Sequence, residues 1–337
     1  MKTFAIILSV VGAIVATAGL YNMATSQTNQ GVPEHVREMF TNWKSEHQKG
    51  YGASAEESFR LQVFYENYKK VNGMNAKGGA TFALNHFADL SIGEFKNGFM
   101  GYKHSEGPRE NVKSLKGSEV KDHVDWQAEG ATNTPQQQDR CGGCYSFSTT
   151  GGLEALHFIK TGELLSFSKQ QIIDCSVKYG NNGCHGGNFE PTYRYTAEHG
   201  LVPETQYPYM NSDAASCNKS LEAQGVKYNS AYVNVPYGSN DELMSALSRQ
   251  PVSVAVDADD LQFYKGGVFV NDCDTGLNHA ILAVGYGVDK ETGQSFYKIK
   301  NSWGANWGEG GFVRVERTNI DGKGKCGVLM NPVYPTL

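Results

Sequence analysis

Apolar residues recur along the chain in two different patterns. Between residues 36 and 99 they fall mostly at spacings of three and four, which predicts amphipathic helices. A Lys-Gly-Gly break at residues 77–79 interrupts the pattern, a short extended piece follows, and a further helix is predicted to start at Asp89 or Ser91. This cysteine-free stretch is therefore predicted to form a separate small helical domain, over residues 35–97.

The second half of the chain changes from helical to strand-like patterns. Helices are predicted at residues 145–160 and 190–199, and each is followed by a glycine. The strand candidates, which alternate in the manner of antiparallel strands, are residues 252–256, 279–287, 296–300 and 312–316. Helices followed by strands predict an α+β fold, with two lobes and a cleft between them.

Residues 98–118 separate these two regions. They are polar, charged and glycine-containing, and they show no apolar period. Such a stretch is predicted to be an exposed linker, and exposed linkers are where proteases cut. Cleavage there would release a second domain, over residues 119–337.

The first residues have the form of a secretory signal. Lys2 precedes an almost unbroken apolar run at residues 4–15, and small residues follow it as far as Ala18. The run falls short of the ~20 residues that a helix needs to span a bilayer. A cleaved signal over residues 1–18 is therefore predicted in preference to a membrane anchor, and no later segment is apolar enough to span a membrane.

Composition argues against nucleic acid as a partner. Of the 337 residues, 39% are hydrophobic and 19% are charged, as in globular proteins. The formal net charge of −5 is spread without long blocks of one sign. Nothing in this distribution favours binding to a phosphate backbone or to an anionic membrane.

All seven cysteines lie after residue 140. Paired thiols become disulfides in the secretory route, and an odd count leaves at least one cysteine without an internal partner. Cys141 and Cys144, separated by two glycines, fit a redox pair, half of a zinc site, or a structural cysteine beside a reactive one. Cys144 lies where the helix predicted at 145–160 begins, and a helix start lowers the pKa of a thiol. The favoured division is a reactive Cys144 and a bridged Cys141.

A nucleophilic thiol needs a base, and the base needs a group that orients it. His279 opens one predicted strand, and Asn301 follows the end of the next one. Adjacent strands would bring the amide to the imidazole and fix its tautomer. A thiol–disulfide oxidoreductase would leave this pair unexplained, and a zinc half-site lacks a second ligand pair at matching spacing.

Taken in order, these motifs resemble those of the papain-like cysteine proteases. The matching segments are VDW at 124–126, Gln138 with CGGCYSFS at 141–148, CHGG at 184–187, YPY at 207–209, QPVSV at 250–254, NHA at 278–280, NSWG at 301–304 and WG at 307–308. The ordered series covers nearly all of the chain after the signal and is far more specific than an isolated CxxC pair. It implies a two-lobed papain-like fold with a helical lobe and an antiparallel β-barrel lobe, preceded by a helical propeptide domain.

The helical domain upstream resembles the inhibitory propeptide of the cathepsin L group. The matching positions are Glu56, Arg60, Phe64, Asn67, Val71, Asn75, Asn85, Phe87 and Asp89, with Val71 where isoleucine is usual and Ala83 where glycine is usual. The resemblance implies that this segment folds on the enzyme and runs backwards through its cleft. The full chain is accordingly expected to be a zymogen inhibited by its own propeptide.

The resemblance also assigns roles in catalysis. Cys144 would be the nucleophile, His279 its general base and later acid, and Asn301 the residue that orients the imidazole. Gln138 would donate its side-chain amide, together with the backbone N–H of Cys144, to the oxyanion. Trp303 would shield the hydrogen bond between His279 and Asn301 from water.

Substrate-binding positions follow from the same resemblance. They are Gly186, Gly187, Asn188, Phe189, Ala255, Leu277, Asn278, Ala280, Trp303 and Asn331. Those expected to line the pocket for the second residue before the cut are Asn188, Phe189, Ala255, Leu277, Ala280 and Asn331, a mostly apolar set. An apolar or aromatic residue is therefore expected there. No insertion of the kind that blocks the cleft in related exopeptidases follows Gly187, so cleavage within chains is expected.

The resemblance further implies the disulfides Cys141–Cys184, Cys175–Cys217 and Cys273–Cys326, which leave Cys144 free. No cofactor or metal is expected. The expected partners are peptide and protein substrates, and the expected state is a monomer. The expected location is the secretory pathway, ending in the lysosome, in another acidic vacuole or outside the cell.

Several positions depart from the usual family pattern. Asp139 and Arg140 stand where a glycine and an uncharged residue are usual, Gly143 replaces serine, Tyr145 replaces tryptophan and Asn278 replaces aspartate. A charged pair beside the expected oxyanion donor could disturb the loop. The alternative to an active protease is a catalytically silent binding protein that keeps the protease shape.

Overall fold

The computed structural model of the protein describes residues 31–105, 107–213 and 216–337. The predicted signal, residues 1–18, lies outside the described residues. Within the described ranges, no helix combines the length and the apolar composition that a membrane crossing requires.

The described residues divide into two compact units. Unit 1 contains residues 31–76 and 84–91, and unit 2 contains residues 77–83 and 92–337. The stretch that the sequence indicates as a linker therefore packs as part of the larger unit.

Unit 1 is built on two helices, which confirm the predicted helical pattern. Helix α1 (Glu34–Glu46) and helix α2 (Ser54–Ala76) pack through buried aromatic side chains. The ring centroid of Phe64 lies 5.3 Å from that of Phe40 and 5.4 Å from that of Trp43. Aromatic pairs at such distances stabilise a fold beyond the effect of their burial alone.

The segment that completes unit 1 is held by two polar side chains of the propeptide motif. The buried amide of Asn67 donates hydrogen bonds to the carbonyl oxygens of Ala88 (2.9 Å) and Leu90 (3.0 Å). The carboxylate of Asp89 accepts one from Lys49 at 3.1 Å. Because buried polar groups are costly when unpaired, these contacts fix the path of the segment.

Unit 2 begins with the predicted extended piece. Strand β1 (Thr81–Phe82) pairs antiparallel with Tyr264–Gly266. Helix α3 (Ile92–Phe99) comes next, so the predicted helix starts directly after Ser91. The alternative start at Asp89 is wrong, because that residue lies in a turn of unit 1 before the helix begins.

The helices of unit 2 that follow α3 precede most of its strands. They are α4 (Cys144–Thr161), α5 (Lys169–Cys175), α6 (Phe189–His199), α7 (Lys219–Glu222) and α8 (Asn240–Leu247). Both helices predicted in this region are confirmed, as α4 and α6. Helix α4 ends at Gly162, whose φ of 78° is a left-handed conformation that glycine adopts without strain.

The strands of unit 2 form a largely antiparallel sheet. They are β2 (Val124–Asp125), β3 (Ala231–Asn234), β4 (Val252–Val256), β5 (Tyr264–Gly266), β6 (Val268–Phe269), β7 (His279–Val288), β8 (Ser295–Lys300), β9 (Phe312–Glu316) and β10 (Val333–Thr336). The main sheet has the order β3-β10-β4-β7-β8-β9-β6, in which the β6–β9 pair is parallel, and β2 pairs with β7. The predicted α+β fold, with a helical lobe and a sheet lobe, is confirmed.

Three disulfides cross-link unit 2. They are Cys141–Cys184, Cys175–Cys217 and Cys273–Cys326, the pairs that the family resemblance implies. Cys144 is left as the free cysteine of the described chain.

The linker is held more closely than its sequence predicts. The guanidinium of Arg109 donates hydrogen bonds to Asn234 Oδ1 (2.6 Å) and to the carbonyl oxygens of Val235 and Pro332 (both 2.9 Å). Leu115, further along the linker, is buried. Backbone groups at the edge of the sheet thus find partners in the linker, and such partners keep an edge from remaining open.

Candidate active site

Cys144 is the first residue of helix α4 and is fully buried. Its Sγ accepts a hydrogen bond from the backbone N–H of Ala280 at 3.5 Å, so β7 lies directly against the thiol. Burial raises the pKa of the Cys144 thiol to about 11, although the backbone N–H groups of Ala280, Gly101 and Tyr145 act in the opposite direction. The thiol is therefore neutral at pH 7 in this structure.

His279, the residue before Ala280, is oriented by the next strand. Its Nε2 lies 2.8 Å from Asn301 Oδ1, and β7 pairs with β8, which ends immediately before Asn301. The same Oδ1 accepts the backbone N–H of Ser302 at 2.7 Å, which identifies it as the amide oxygen. Since an oxygen cannot donate, Nε2 must carry the proton and Nδ1 is left as a lone pair.

His279 is enclosed by the protein. The ring of Trp303 stacks on the imidazole with centroids 4.6 Å apart, and the histidine is fully buried. Burial lowers the pKa of His279 to about 4, against the opposing effect of the Asn301 hydrogen bond. The buried Nδ1 has no hydrogen-bond partner in the part of the chain that the structure describes.

The side-chain amide of Gln138 is hydrogen-bonded through both its nitrogen and its oxygen. Its Nε2 donates to the carbonyl oxygens of Phe99 (3.2 Å) and Cys141 (2.8 Å), while its Oε1 accepts from Ser302 Oγ at 2.5 Å. The side-chain amide is thus fixed from both ends, with its N–H groups directed at carbonyl oxygens. A carbonyl from the linker occupies the donor that the resemblance assigns to an oxyanion.

Residues 101–103 cover the thiol as an extended chain. The N–H of Gly187 donates to the carbonyl of Gly101 at 2.8 Å, and the N–H of Lys103 donates to the carbonyl of Gly187 at 2.9 Å. The N–H groups of Gly101 and Tyr102 both donate to the carbonyl of Asn278, at 3.1 and 3.0 Å. A Cβ at Gly101 would lie 1.9 Å from the carbonyl oxygen of Gly142, so only glycine permits this approach.

The structure brings most of the expected substrate-binding residues to this covering segment. Asn188 Nδ2 donates to the carbonyl of Lys103 at 2.9 Å, and a Cβ built on Gly186 would lie 2.4 Å from the carbonyl oxygen of Gly101. The ring of Phe189 lies 5.0 Å from that of Tyr102. The expected pocket residues that pack in the same core cluster as this tyrosine are Phe189, Ala255, Ala280 and, partly buried, Leu277.

Sequence comparison identifies the family of this chain. The papain family cysteine protease model matches residues 120–336, and the cathepsin propeptide inhibitor domain matches residues 40–95. The chain belongs to the papain family of cysteine proteases. The chain is a zymogen of that family, because the inhibitor domain precedes the protease domain.

Relatives of this papain-family protease agree with the assignment. Cathepsin L of Sarcophaga peregrina is 37% identical over 323 residues, which cover 90% of this chain and 94% of the relative. Among solved structures, a recombinant stem bromelain precursor is similar with a TM-score of 0.83 and 32% identity, covering 90% of this chain and 99% of that one. Digestive procathepsin L 3 of the Tenebrio molitor larval midgut has a TM-score of 0.80 and 35% identity, covering 90% and 100%.

Two residues that support the site of this protease escaped the sequence reasoning. Ser302 binds the side chain of Gln138, and the Tyr209 hydroxyl donates to the backbone carbonyl of Gln138 at 2.5 Å. Both lie inside motifs that mark the family, but the motifs do not indicate that these residues contact Gln138. Asn278, one of the departures from the family, donates to Asp259 Oδ1 at 3.0 Å and so fixes the neighbouring loop.

A buried charge cluster lies beneath the papain-family site. Glu154 of α4 lies 3.1 Å from Lys169, which is 3.5 Å from Glu204. Burial acts to raise the pKa of Glu154, but the charges of Lys169 and Lys300 bring it below its ordinary value. Burial lowers the pKa of Lys300 to about 8. Lys300 is the last residue of β8 and precedes Asn301, so the cluster lies between the helix that carries the thiol and the strand that ends at the amide.

Replacing Glu154 with alanine is expected to reduce the free energy of unfolding by about 3 kcal/mol, because the buried Lys169 would keep only the more distant carboxylate of Glu204. Urea unfolding of the full chain, followed by tryptophan fluorescence, measures this change. Lys160→Ala, at an exposed position on the same helix, should change the free energy by less than about 0.5 kcal/mol. Equal effects of the two substitutions would contradict a role for the cluster in stability.

Proposed function

We propose that this papain-family zymogen gives rise to an endopeptidase that hydrolyses peptide bonds through a Cys144 thiolate and a His279 imidazolium. The observation that carries the proposal is the hydrogen bond to Asn301 that orients His279. Its Nε2–H is committed to Asn301, which leaves the Nδ1 lone pair to take a proton. A free cysteine at a helix start, held beside the residue after this histidine, supplies that proton.

The first half of the proposed reaction forms an acyl-enzyme. The thiol proton moves to His279 Nδ1, and the Cys144 sulfur attacks the carbonyl carbon of the scissile peptide. The resulting oxyanion accepts hydrogen bonds from Gln138 Nε2 and from the backbone N–H of Cys144. When the C–N bond breaks, His279 gives its proton to the leaving amine, and a thioester to Cys144 remains.

The second half of the reaction releases the new carboxyl terminus. Water attacks the thioester carbonyl while His279 Nδ1 accepts a proton from it. The C–S bond then breaks and the sulfur leaves as thiolate, which restores the ion pair with the imidazolium. Trp303, stacked on the ring, keeps water away from the bond between His279 and Asn301.

The linker is proposed to keep the zymogen inactive by occupying these same groups. The carbonyl of Phe99 takes the Gln138 donor, and residues 101–103 take the backbone groups of Gly187. With this segment in place, Cys144 has no exposed surface. Cleavage in the exposed stretch after Tyr102 would remove the block.

Cleavage within chains is proposed because the described chain passes from Gly187 through Asn188 directly into helix α6, with no inserted loop at this point. Asn188 caps helix α6 immediately after it, accepting the N–H of Phe189 at 2.6 Å. The proposed substrates are peptides and unfolded stretches of proteins, and no nucleic-acid partner is proposed. The proposed location is the secretory pathway, leading to the lysosome, another acidic vacuole or the outside of the cell, and three disulfides suit an oxidising route.

Alkylation with an epoxide inhibitor of cysteine proteases tests the proposed function. After limited proteolysis of the full chain, one equivalent is expected to label Cys144 and to abolish hydrolysis of a fluorogenic peptide in proportion to labelling. Mass spectrometry of a digested protein substrate should show internal cuts. A processed chain that is not labelled would favour the silent binding protein, and removal of single terminal residues would favour an exopeptidase.

A further inference from the structure

One side chain of the covering segment enters a pocket of the protease. Tyr102 is only 4% exposed. Its ring packs against Phe189 with centroids 5.0 Å apart and an interplanar angle of 36°, and it belongs to the core cluster that contains Ala255 and Ala280. The apolar walls account for the burial of the ring but leave the hydroxyl group to be satisfied.

The hydroxyl of Tyr102 is hydrogen-bonded at the end of the pocket. Asn331 Nδ2 donates a hydrogen bond to it, and Asn331 is itself 2% exposed. The asparagine lies just before β10, and the N–H of Val235 donates to the carbonyl of the adjacent Pro332 at 2.9 Å. The amide is therefore held on a fixed part of the sheet edge and does not depend on a mobile loop for its position.

The backbone on both sides of Tyr102 pairs with Gly187 in a parallel bridge. Gly187 donates to the carbonyl of the preceding residue and accepts the N–H of the following one. These contacts involve main-chain atoms only, so any residue could stand between them. The pocket can therefore discriminate between peptides only through the side chain that enters it. In the intact chain that side chain is the tyrosine at position 102.

We propose that Asn331 makes this pocket selective for tyrosine over phenylalanine as the second residue before the cut. The inference rests on the proposed function and names the substrate class of the same site. A phenylalanine fills the apolar walls equally well but leaves the buried Asn331 amide without its partner. Leaving a buried donor unpaired costs more than an ordinary hydrogen bond gains, and sites built to bind a hydroxyl reject analogues that lack it.

The expected preference is about tenfold in kcat/KM. Water that enters the pocket beside a phenylalanine can pair with Asn331, so the ratio is expected to stay well below that of a fully closed site. The full chain, processed by limited proteolysis, is assayed with two fluorogenic dipeptide amides. Both carry arginine before the cut, and the preceding residue is tyrosine in one and phenylalanine in the other.

Variants of the pocket distinguish the effect of the Asn331 hydrogen bond from the effect of the shape of the pocket. Asn331→Leu is expected to lose the preference and to favour phenylalanine by a fewfold, because the phenol hydroxyl would then be buried without a partner. Asn331→Asp is expected to retain the preference for tyrosine, since a carboxylate accepts the phenol proton. Leu277→Met, a change among the apolar neighbours, should shift both substrates by the same factor.

The outcomes distinguish this inference from the function on which it rests. If both amides are cleaved with equal kcat/KM, or if Asn331→Leu leaves the ratio unchanged, the pocket is not selective and the protease assignment still stands. If neither amide is cleaved, the proposed function fails. In that case, binding of acetyl-Tyr-Arg-amide and acetyl-Phe-Arg-amide to the processed Cys144→Ala protein tests the selectivity of the pocket. Equal dissociation constants would overturn the inference.

Discussion

Replacing Cys144 with alanine is expected to lower kcat/KM for peptide hydrolysis by at least about 10⁴-fold in the processed enzyme. The substitution removes the atom that forms the thioester and leaves the donors on Gln138 and on the helix start with no covalent intermediate to stabilise. Replacing His279 with alanine should cost a similar factor, because a neutral thiol is a poor nucleophile. The variants are compared by active-site-normalised kinetics after identical processing.

Two further variants test whether the loss of activity arises from Cys144 and His279 acting together. Since Cys144 and His279 are proposed to act as a unit, the double variant should be about as slow as either single variant, and the effects should not multiply. His157→Ala, which removes a partly buried histidine from the same helix as Cys144, should leave kcat/KM within about threefold. Retention of more than about 1% activity in Cys144→Ala would show that another residue is the nucleophile.

The parts of the site that lie at the ends of regular elements could be predicted from the sequence. Cys144 precedes a helical pattern, and the structure places it as the first residue of α4. His279 opens one strand pattern and Asn301 follows another, and the antiparallel pairing of β7 with β8 brings the two side chains to hydrogen-bond distance. Element ends are set by local pattern and capping, which a single sequence contains.

The contacts made by loops could not be predicted in this way. The resemblance indicated Gln138, but the hydrogen bonds that fix it come from Ser302 and Tyr209, which lie 164 and 71 residues away in the sequence. Asp139, one of the departures from the family, adopts a φ of +50°, so the usual glycine would suit this backbone. No periodic pattern encodes contacts between such distant loops.

The buried contacts of the linker could not be predicted from the sequence either. Its polar, glycine-containing sequence predicts an exposed chain, yet Tyr102 and Leu115 are buried and Arg109 makes three hydrogen bonds. The partners of Arg109 lie 125 residues or more further along the chain. Isolated anchors spaced along a polar stretch leave no apolar period, and only the folded partner surface reveals them.

The two physical effects on the Cys144 thiol act in opposite directions, and the structure shows which one is larger. A helix start and neighbouring N–H groups favour the thiolate, which is the basis of the sequence-based expectation. Complete burial under residues 101–103 outweighs them and raises the pKa to about 11. Burial also lowers the pKa of His279 to about 4, so the imidazole is neutral above about pH 4. The covered site therefore lacks the ion pair on which the proposed reaction depends.

Alkylation of Cys144 by iodoacetamide at pH 7 is accordingly expected to be at least about 10³-fold slower in the intact chain than in the processed one. With a pKa of about 11, only about one thiol in 10⁴ is ionised at pH 7, and the sulfur has no exposed surface. A thiolate paired with an imidazolium is intrinsically less nucleophilic, which offsets part of the difference. The rates are followed by mass spectrometry of the peptide that contains Cys144.

The rate of Cys144 alkylation is expected to depend on pH differently in the intact and the processed chain. Because the pKa is raised, the thiol of the intact chain keeps its proton until about pH 11, so its alkylation rate should rise about tenfold per pH unit between pH 7 and 9. The processed enzyme, which holds the ion pair, should show little change over that range. Tyr102→Gly in the intact chain should move its behaviour toward that of the processed enzyme, because it empties the pocket that anchors the covering segment. A flat profile and rapid labelling of the unaltered intact chain would mean that the segment does not protect the thiol.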